Sequence, residues 1–435
     1  VHCIPETRKI LAVIRRLSNE LNIPSVATPD AHYPKRENKI LQNILLCKGL
    51  GGITLEELKN SGMSTFATSD DWFIPTYDEI KNHYGSTEQE LENTIVFADR
   101  ISEYKNILRS PMLPNFKCPE NHTATTWLRE LCRNGWRNKI QNVVPKNEQQ
   151  IYVDRIKHEL QVFEEANLAG YFLIVEDIIR YATEQLKCIK SPGRGSVGGC
   201  LTAYLLNITQ VDPIKYGLLF SRFYDESRKE NLADIDMDFP KYKREQIIQY
   251  IKDKYGKDHV AQIATYQTMK GRAALKDVFR AYGNINVDEQ NRLTKHLPDP
   301  AKIAGELQEM EEEEGESSLI RYTLENDKQG KLREWCYIDE DGTLKGPLAK
   351  QFEQAIQLEG TKVAQSKHAA GIVISPTPLN EICPLTYDTK TKSQICSLSL
   401  EDADSIGLVK IDILGIINLD KLTDISKIVA ENEAC

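Results

Sequence analysis

Apolar residues recur at two different periods along this chain, and the change between them marks out its elements. Near the start Ile10, Leu11, Ile14 and Leu17 have helical spacing, and residues 40–46 resume it. Between these helices Pro24-Ser-Val-Ala-Thr-Pro29 reads as a short buried strand, followed at once by Asp30-Ala-His32. Residues 61–125 are less periodic and rich in turn formers. They close on Ser110-Pro111-Met-Leu-Pro114-Asn-Phe-Lys-Cys-Pro119, whose prolines predict an extended linker.

The pattern is strongest over residues 120–240. Helical stretches lead to Tyr171-Phe-Leu-Ile-Val-Glu-Asp-Ile-Ile179, then a Gly-rich turn at 193–199, then a helix near 200–206. Alternation over 233–239 predicts a strand that Pro240 ends. The next helix carries Ile247, Ile248, Ile251 and Tyr255 as its apolar stripe. Lys241, Lys243 and Arg244 crowd its first turn and Gly256 suits its C-terminal cap. Residues 265–365 read as mostly helical and highly charged, with an acidic run at 311–314. Two more strands are expected at 371–375 and 407–414, and a helix near Leu419. No internal repeat is visible.

Composition then excludes several classes. The 435 residues suggest two to four domains, at about 100–200 residues each. With 40% hydrophobic and 27% charged residues the chain is neither disordered, collagen-like nor a coiled coil. No apolar stretch approaches the roughly 18 residues of a membrane span, and no signal peptide opens the chain, so no membrane partner is expected. The first residue is Val1 rather than Met, which reads as a processed chain or one cut from something longer. The 10 cysteines fall singly, with no C-x-x-C pair, which fits mostly structural thiols in a reducing, cytoplasmic compartment. The net charge of −9 argues against a coat of basic charge but leaves room for a local basic groove.

The sharpest chemical feature is Asp234-Ile-Asp236-Met-Asp238-Phe239. On a strand these aspartates share one face while Ile235, Met237 and Phe239 pack behind. Neighbouring carboxylates then stand about 7 Å apart at the backbone. Hard oxygen ligands so gathered suit Mg²⁺, and a pair of such ions can activate an attacking oxygen and steady a leaving one. The competing possibility is a solvated strand face, disfavoured because Asp is uncommon in strands. A further carboxylate lies in Leu408-Val-Lys410-Ile-Asp412-Ile-Leu-Gly415, where Lys410 and Asp412 share a face opposite Val409, Ile411 and Ile413. An aspartate in so apolar a strand is costly to bury unless paired or metal-bound; an ordinary edge-strand Asp is the alternative. Together the two motifs offer three carboxylates on two strands, the minimum for two-metal phosphoryl transfer.

The turn Ser191-Pro-Gly193-Arg-Gly195-Ser-Val-Gly198-Gly199 opens a helix, where free N–H groups favour a phosphate. It formally matches G-x-G-x-x-G, so a dinucleotide site and a plain structural turn compete with a triphosphate cradle. The cradle leads, because the dinucleotide reading leaves the aspartates unexplained and its best acidic residue, Asp212, precedes Pro213. Arg194, Arg222, Arg228, Lys367 and Lys410 are the nearby cations able to clamp phosphate. His368 reads as a structural histidine. Asp30 and His32 are two metal-ligand types, too few to make a site.

Pro192-Gly-Arg-Gly-Ser196, the Asp234-x-Asp236-x-Asp238 strand, Ser366-Lys-His-Ala-Ala-Gly-Ile-Val-Ile374 and Leu408-Val-Lys-Ile-Asp-Ile-Leu-Gly415 occur in this order in C-family bacterial replicative DNA polymerases. The chain resembles the α subunit of DNA polymerase III over essentially its whole length. The resemblance implies an α/β (α+β) fold: a palm similar to that of DNA polymerase β, with a mixed sheet and helices against one face. It implies that 1–110 is the C-terminal part of a polymerase-and-histidinol-phosphatase (PHP) domain and connector. Palm would follow at 111–265, an inserted helical thumb at 266–365, palm again at 366–417 and the start of the fingers at 418–435. Asp234, Asp236 and Asp412 would be the catalytic, metal-binding aspartates, with Asp238 outside the primary set. Arg194, Gly195 and Ser196 would bind the nucleotide, helped by Arg222 and Lys410. Two Mg²⁺ ions, primer–template DNA and dNTP are the implied cofactors and substrates. A sliding clamp and other replisome subunits would bind through parts beyond Cys435. The Glu309, 311–314 and Glu316 acids would repel DNA unless they face outward, so the basic helix at 241–254 is the better phosphate contact. A PHP-type phosphoesterase and a non-catalytic replication scaffold are the alternatives.

Overall fold

The computed structural model describes residues 5–82, 85–103, 107–225, 234–315, 317–388 and 391–433; Arg228, Ala233 and Glu316 lie outside these. Its strands are β1 (Asp236–Pro240), β2 (Val260–Thr268), β3 (Tyr337–Ile338), β4 (Leu344–Lys345), β5 (Lys362–Ile374), β6 (Leu385–Tyr387), β7 (Gln394–Cys396) and β8 (Lys410–Ile416). Six form one mixed sheet in the order β1-β8-β5-β2-β7-β6, and β3 and β4 form a separate hairpin. β8 runs parallel to β1 and antiparallel to β5. Parallel neighbours need a long crossover, and here most of the chain's second half intervenes between them.

Residues group into two compact units, one of 1–104 with 267–364 and one of 105–266 with 365–435. In the first, helix Lys39–Gly49 packs on helix Gly271–Tyr282, and Ile44, Leu58, Leu275, Phe279 and Phe352 are fully buried. Lys48 and Arg280 both hold the buried carboxylate of Asp277. The expected strand at 24–29 does not form: the segment carries no regular secondary structure. Pro24 and Pro29 lack the N–H a ladder needs, and Val26 is exposed. Only Ala27 is buried, donating its N–H to Glu90 O at 3.1 Å. The segment read as turn-rich contains the helix Glu88–Asp99.

In the second unit Ile235, Met237 and Phe239 share a buried core with Ile372, Ile374, Val409, Ile411 and Ile413. The helices Ala124–Lys139, Gln149–Glu165, Ala169–Glu184 and Arg244–Tyr255 join that core, as do residues of 197–208 and Phe220, Phe223 and Tyr224. The Pro-punctuated segment is extended, as its prolines require, but it is docked: Met112 N–H donates to Gly407 O at 2.8 Å, and Leu113 and Phe116 pack on the core. The last helix runs Ile417–Glu433. Among the described residues no helix is long and apolar enough to cross a membrane.

Candidate active site

Alternation through β1 and the two residues ahead of it turns Ile235, Met237 and Phe239 into the core and leaves Asp234, Asp236 and Asp238 on the other face. The buried hydroxyl of Tyr171 accepts the Ile235 N–H at 3.2 Å and so pins the chain between Asp234 and Asp236, just ahead of β1. In the parallel ladder Asp236 lies opposite Asp412, about 4.8 Å away at the backbone. The same register puts Asp238 beside Leu414, and β5 puts Gly371 opposite Asp412 from the other side. The two motifs that sequence placed on separate strands are thus neighbours in one sheet.

Two cations hold these acids. Arg194 reaches Asp236 Oδ1 at 3.1 Å and Asp238 Oδ2 at 3.3 Å. Lys410 reaches Asp412 Oδ2 at 2.9 Å and Asp234 Oδ1 at 4.0 Å. Hydrogen bonding to Asp238, aided by the charge of Asp236, raises the Arg194 pKa against partial burial. Burial works against the charge of Lys410, yet the hydrogen bond and charge of Asp412 hold its pKa above the usual lysine range. Partial burial raises the Asp234 pKa, as do Asp412 and Asp236, while Lys410 and Arg194 oppose them. Its side chain keeps 63% of its surface exposed, so water damps that effect. Asp404, on helix Leu400–Ser405, adds a carboxylate within electrostatic reach of Lys410 and Asp234, which sequence reasoning did not single out.

The Gly-rich turn lies against this cluster. Gly195 adopts φ +77°, and a Cβ there would stand 3.6 Å from Asp236 Oδ2. Ser196 is exposed beside it, on the 3₁₀ turn Gly195–Gly199. The turn Phe220–Arg222 packs behind: a Cβ at Gly199 would meet Leu219 O at 2.5 Å. Arg222 is exposed there and takes no part in the ion pairs just described. Lys367 is paired with Asp388 at 3.6 Å.

One expectation about this turn is corrected. The helix it opens, Leu201–Leu205, does not offer its N–H groups to a ligand, because Glu159 takes them. This fully buried carboxylate accepts from Leu201 N–H at 2.9 Å, from Thr202 N–H at 2.7 Å and from Thr202 Oγ1 at 2.9 Å. Arg155 donates to Glu159 at 2.7 Å and to Gly199 O at 2.6 Å, tying helix Gln149–Glu165 to the turn. The N-terminal charge site is filled from within the protein, and an outside phosphate is left with the turn and its cations.

Among the described residues no three His, Cys, Asp or Glu side chains already converge as a metal site. The donor set nevertheless suits a hard cation, and one atom lacks a partner: Asp412 Oδ1 is buried with no hydrogen bond. In the first unit Asp30 and His32 stand 3.3 Å apart, with the imidazole edge-on to Phe66 and Trp72.

A family profile described as the bacterial DNA polymerase III alpha NTPase domain matches residues 126–415. The chain is 34% identical over 441 residues to the DNA polymerase III subunit alpha of Aquifex aeolicus, covering 98% of this chain and 37% of that protein. The Borreliella burgdorferi subunit alpha is 34% identical over 403 residues, covering 92% of this chain and 32% of that protein. The Bacillus subtilis one is 31% identical over 420 residues, covering 97% and 34%. The chain therefore spans about a third of the length of the curated relatives it matches.

Proposed function

This chain belongs to the bacterial DNA polymerase III alpha family, and from that membership we propose that its β1–β8 site performs templated nucleotidyl transfer from a dNTP to a primer 3′-hydroxyl. In this reading residues 111–265 and 366–417 are the palm, 266–365 the thumb, 418–435 the start of the fingers, and 1–110 the C-terminal part of a PHP domain and connector. The observation that carries it is the opposition of Asp236 and Asp412 in one parallel ladder, with Asp412 Oδ1 buried and unpartnered beside them.

Asp234, Asp236 and Asp412 would hold two Mg²⁺ ions, which lower the pKa of an attacking hydroxyl and neutralise charge on the triphosphate and departing pyrophosphate. The protein's own part is positioning. Arg194, about half exposed and paired at 3.1 and 3.3 Å, would exchange Asp238 for a phosphate oxygen. Lys410 stands between Asp234 and Asp412, where its ammonium would meet the triphosphate of a bound nucleotide. Gly195 lies close to Asp236, and the exposed Ser196 follows it on the same turn, so their N–H and hydroxyl groups would serve phosphates at the edge of the acidic cluster. Outside this site, Lys241 and Lys243 precede helix Arg244–Tyr255, and Arg244 Nε donates to Ile413 O at 2.8 Å. That bond fixes the basic turn to β8, at the end of the acidic strand pair, and suits it to the DNA backbone.

The test is primer extension by the full-length protein carrying Asp236→Asn. The expected loss is about 10³-fold in kcat, with stability changed by no more than about 0.5 kcal/mol because Arg194 keeps Asp238. Near-normal extension by that variant would rule out the assignment and leave a scaffold role.

A further inference from the structure

His368 stands on the carboxylate face, and the function proposed above gives it no task. Gly371 of β5 lies opposite Asp412, so a side chain at 371 would project on the same face as that aspartate. Glycine leaves that space to others. The position its Cβ would take lies 2.9 Å from His368 Nδ1, 3.4 Å from Lys410 Cγ and 3.3 Å from Ile263 Cδ1. The imidazole thus fills the gap over Gly371, next to the stem of the lysine that holds Asp412.

Backbone groups set the orientation of the ring. Gly371 N–H donates to Nδ1 at 2.6 Å and Ala370 N–H at 3.3 Å. Nδ1 must be unprotonated to accept, so the proton of the neutral ring is carried by Nε2. Nε2 lies at the far edge of a ring that is only partly buried. A side chain needed only as an acceptor for Gly371 could be shorter and need no second nitrogen.

Resting on the polymerase reading above, we infer that His368 is a substrate-binding residue of the same site: its Nε2–H donates to a phosphate oxygen of the incoming nucleoside triphosphate, beside Lys410. A neutral donor on an anionic oxygen gives a charge-assisted hydrogen bond without adding a further positive charge next to the metal-binding acids. No covalent bond to the protein is made or broken.

Two variants of the full-length protein separate this role from a structural one, with kcat and KM for dNTP measured beside thermal unfolding. His368→Asn keeps an oxygen near the Nδ1 position but has no donor at the ε position. His368→Gln supplies an amide donor near Nε2 and gives up the acceptor. The expected result is a KM for dNTP raised about tenfold in H368N at unchanged unfolding temperature, and within about threefold of wild type in H368Q. Wild-type KM in H368N, or a larger loss in H368Q than in H368N, overturns the inference. Should neither variant fold, diethylpyrocarbonate modification of the wild-type protein decides: dNTP is expected to slow labelling of His368, and an unchanged rate overturns the role. A wild-type protein that extends no primer sinks the polymerase reading itself and this inference with it, whereas normal extension with an indifferent His368 sinks only the latter.

Discussion

Lys410 Nζ stands 2.9 Å from Asp412 Oδ2, while Asp412 Oδ1 is buried with no hydrogen-bond partner. An unsatisfied buried acceptor costs about 1–3 kcal/mol, so a cation able to reach it is favoured. Mg²⁺ should therefore stabilise the folded protein, by about 1.4 kcal/mol at ten times its dissociation constant. Calorimetric unfolding with and without Mg²⁺ checks this. Asp412→Asn should abolish the increment, and an equal increment in both proteins would place the ion elsewhere.

The basic turn ahead of helix Arg244–Tyr255 carries exposed Lys241 and partly exposed Lys243. Among the described residues neither lysine takes part in an ion pair, in contrast to Arg194 and Lys410. If both lysines neutralise DNA phosphates, replacing them with Ala should weaken duplex binding alike for all sequences. The slope of log affinity against log salt should fall by about two. Fluorescence anisotropy over a salt series measures it, and an unchanged slope would remove this surface from the DNA interface.

How much of this was legible beforehand depended on whether a contact is local. Alternation over 234–239 dictated which face the aspartates occupy, because the strand period is local. The pairing of Asp236 with Asp412 was only implied, since register is set by packing of Val409, Ile411 and Ile413 far along the chain. Helix Glu88–Asp99 had a readable signal that apolar periodicity hid: Thr87-Glu-Gln-Glu90 is a capping box, and both of its bonds form. No strand forms at 24–29 because Pro24 and Pro29 lack the N–H groups a ladder needs, which outweighs the β-branched Val26 and Thr28. Glu159 also had a signal. It falls on the same helical face as buried Tyr152, Val162 and Phe163, where a carboxylate must have partners, yet nothing local reveals that those are Leu201 and Thr202.

Glu176 illustrates a pH dependence with a definite sign. Its side chain is mostly buried, and burial pushes its pKa up to about 7, with Asp177 adding to the shift and Arg180 opposing it. A carboxyl whose folded pKa exceeds its unfolded value keeps a proton that the unfolded chain releases. Its stabilising effect is complete below the unfolded pKa of 4.5 and is lost as pH rises to about 7. Glu176→Gln should remove that decline and be more stable than wild type by about 1–3 kcal/mol at about pH 8. Near pH 4 the two should match. Urea unfolding across pH decides, and a variant less stable than wild type at high pH would contradict the burial argument.

Glu159 makes the last prediction, because it separates the turn from the helix behind it. With three donors from Leu201 and Thr202 and a fourth from Arg155, its removal leaves two buried N–H groups without an acceptor and Arg155 with backbone carbonyls but no carboxylate. Glu159→Ala should cost about 3–5 kcal/mol, read from denaturant midpoints. Thr202→Val deletes one hydroxyl donor and keeps the carboxylate, and should cost only about 1 kcal/mol. Since Glu159 already occupies the helix N-terminus, a triphosphate at this turn must depend on Arg194 and its neighbours instead. In the full-length protein Arg194→Ala should then raise the KM for dNTP by about tenfold, while Thr202→Val leaves it within about twofold. Equal effects of the two substitutions would mean that the helix end, not the turn, holds the phosphates.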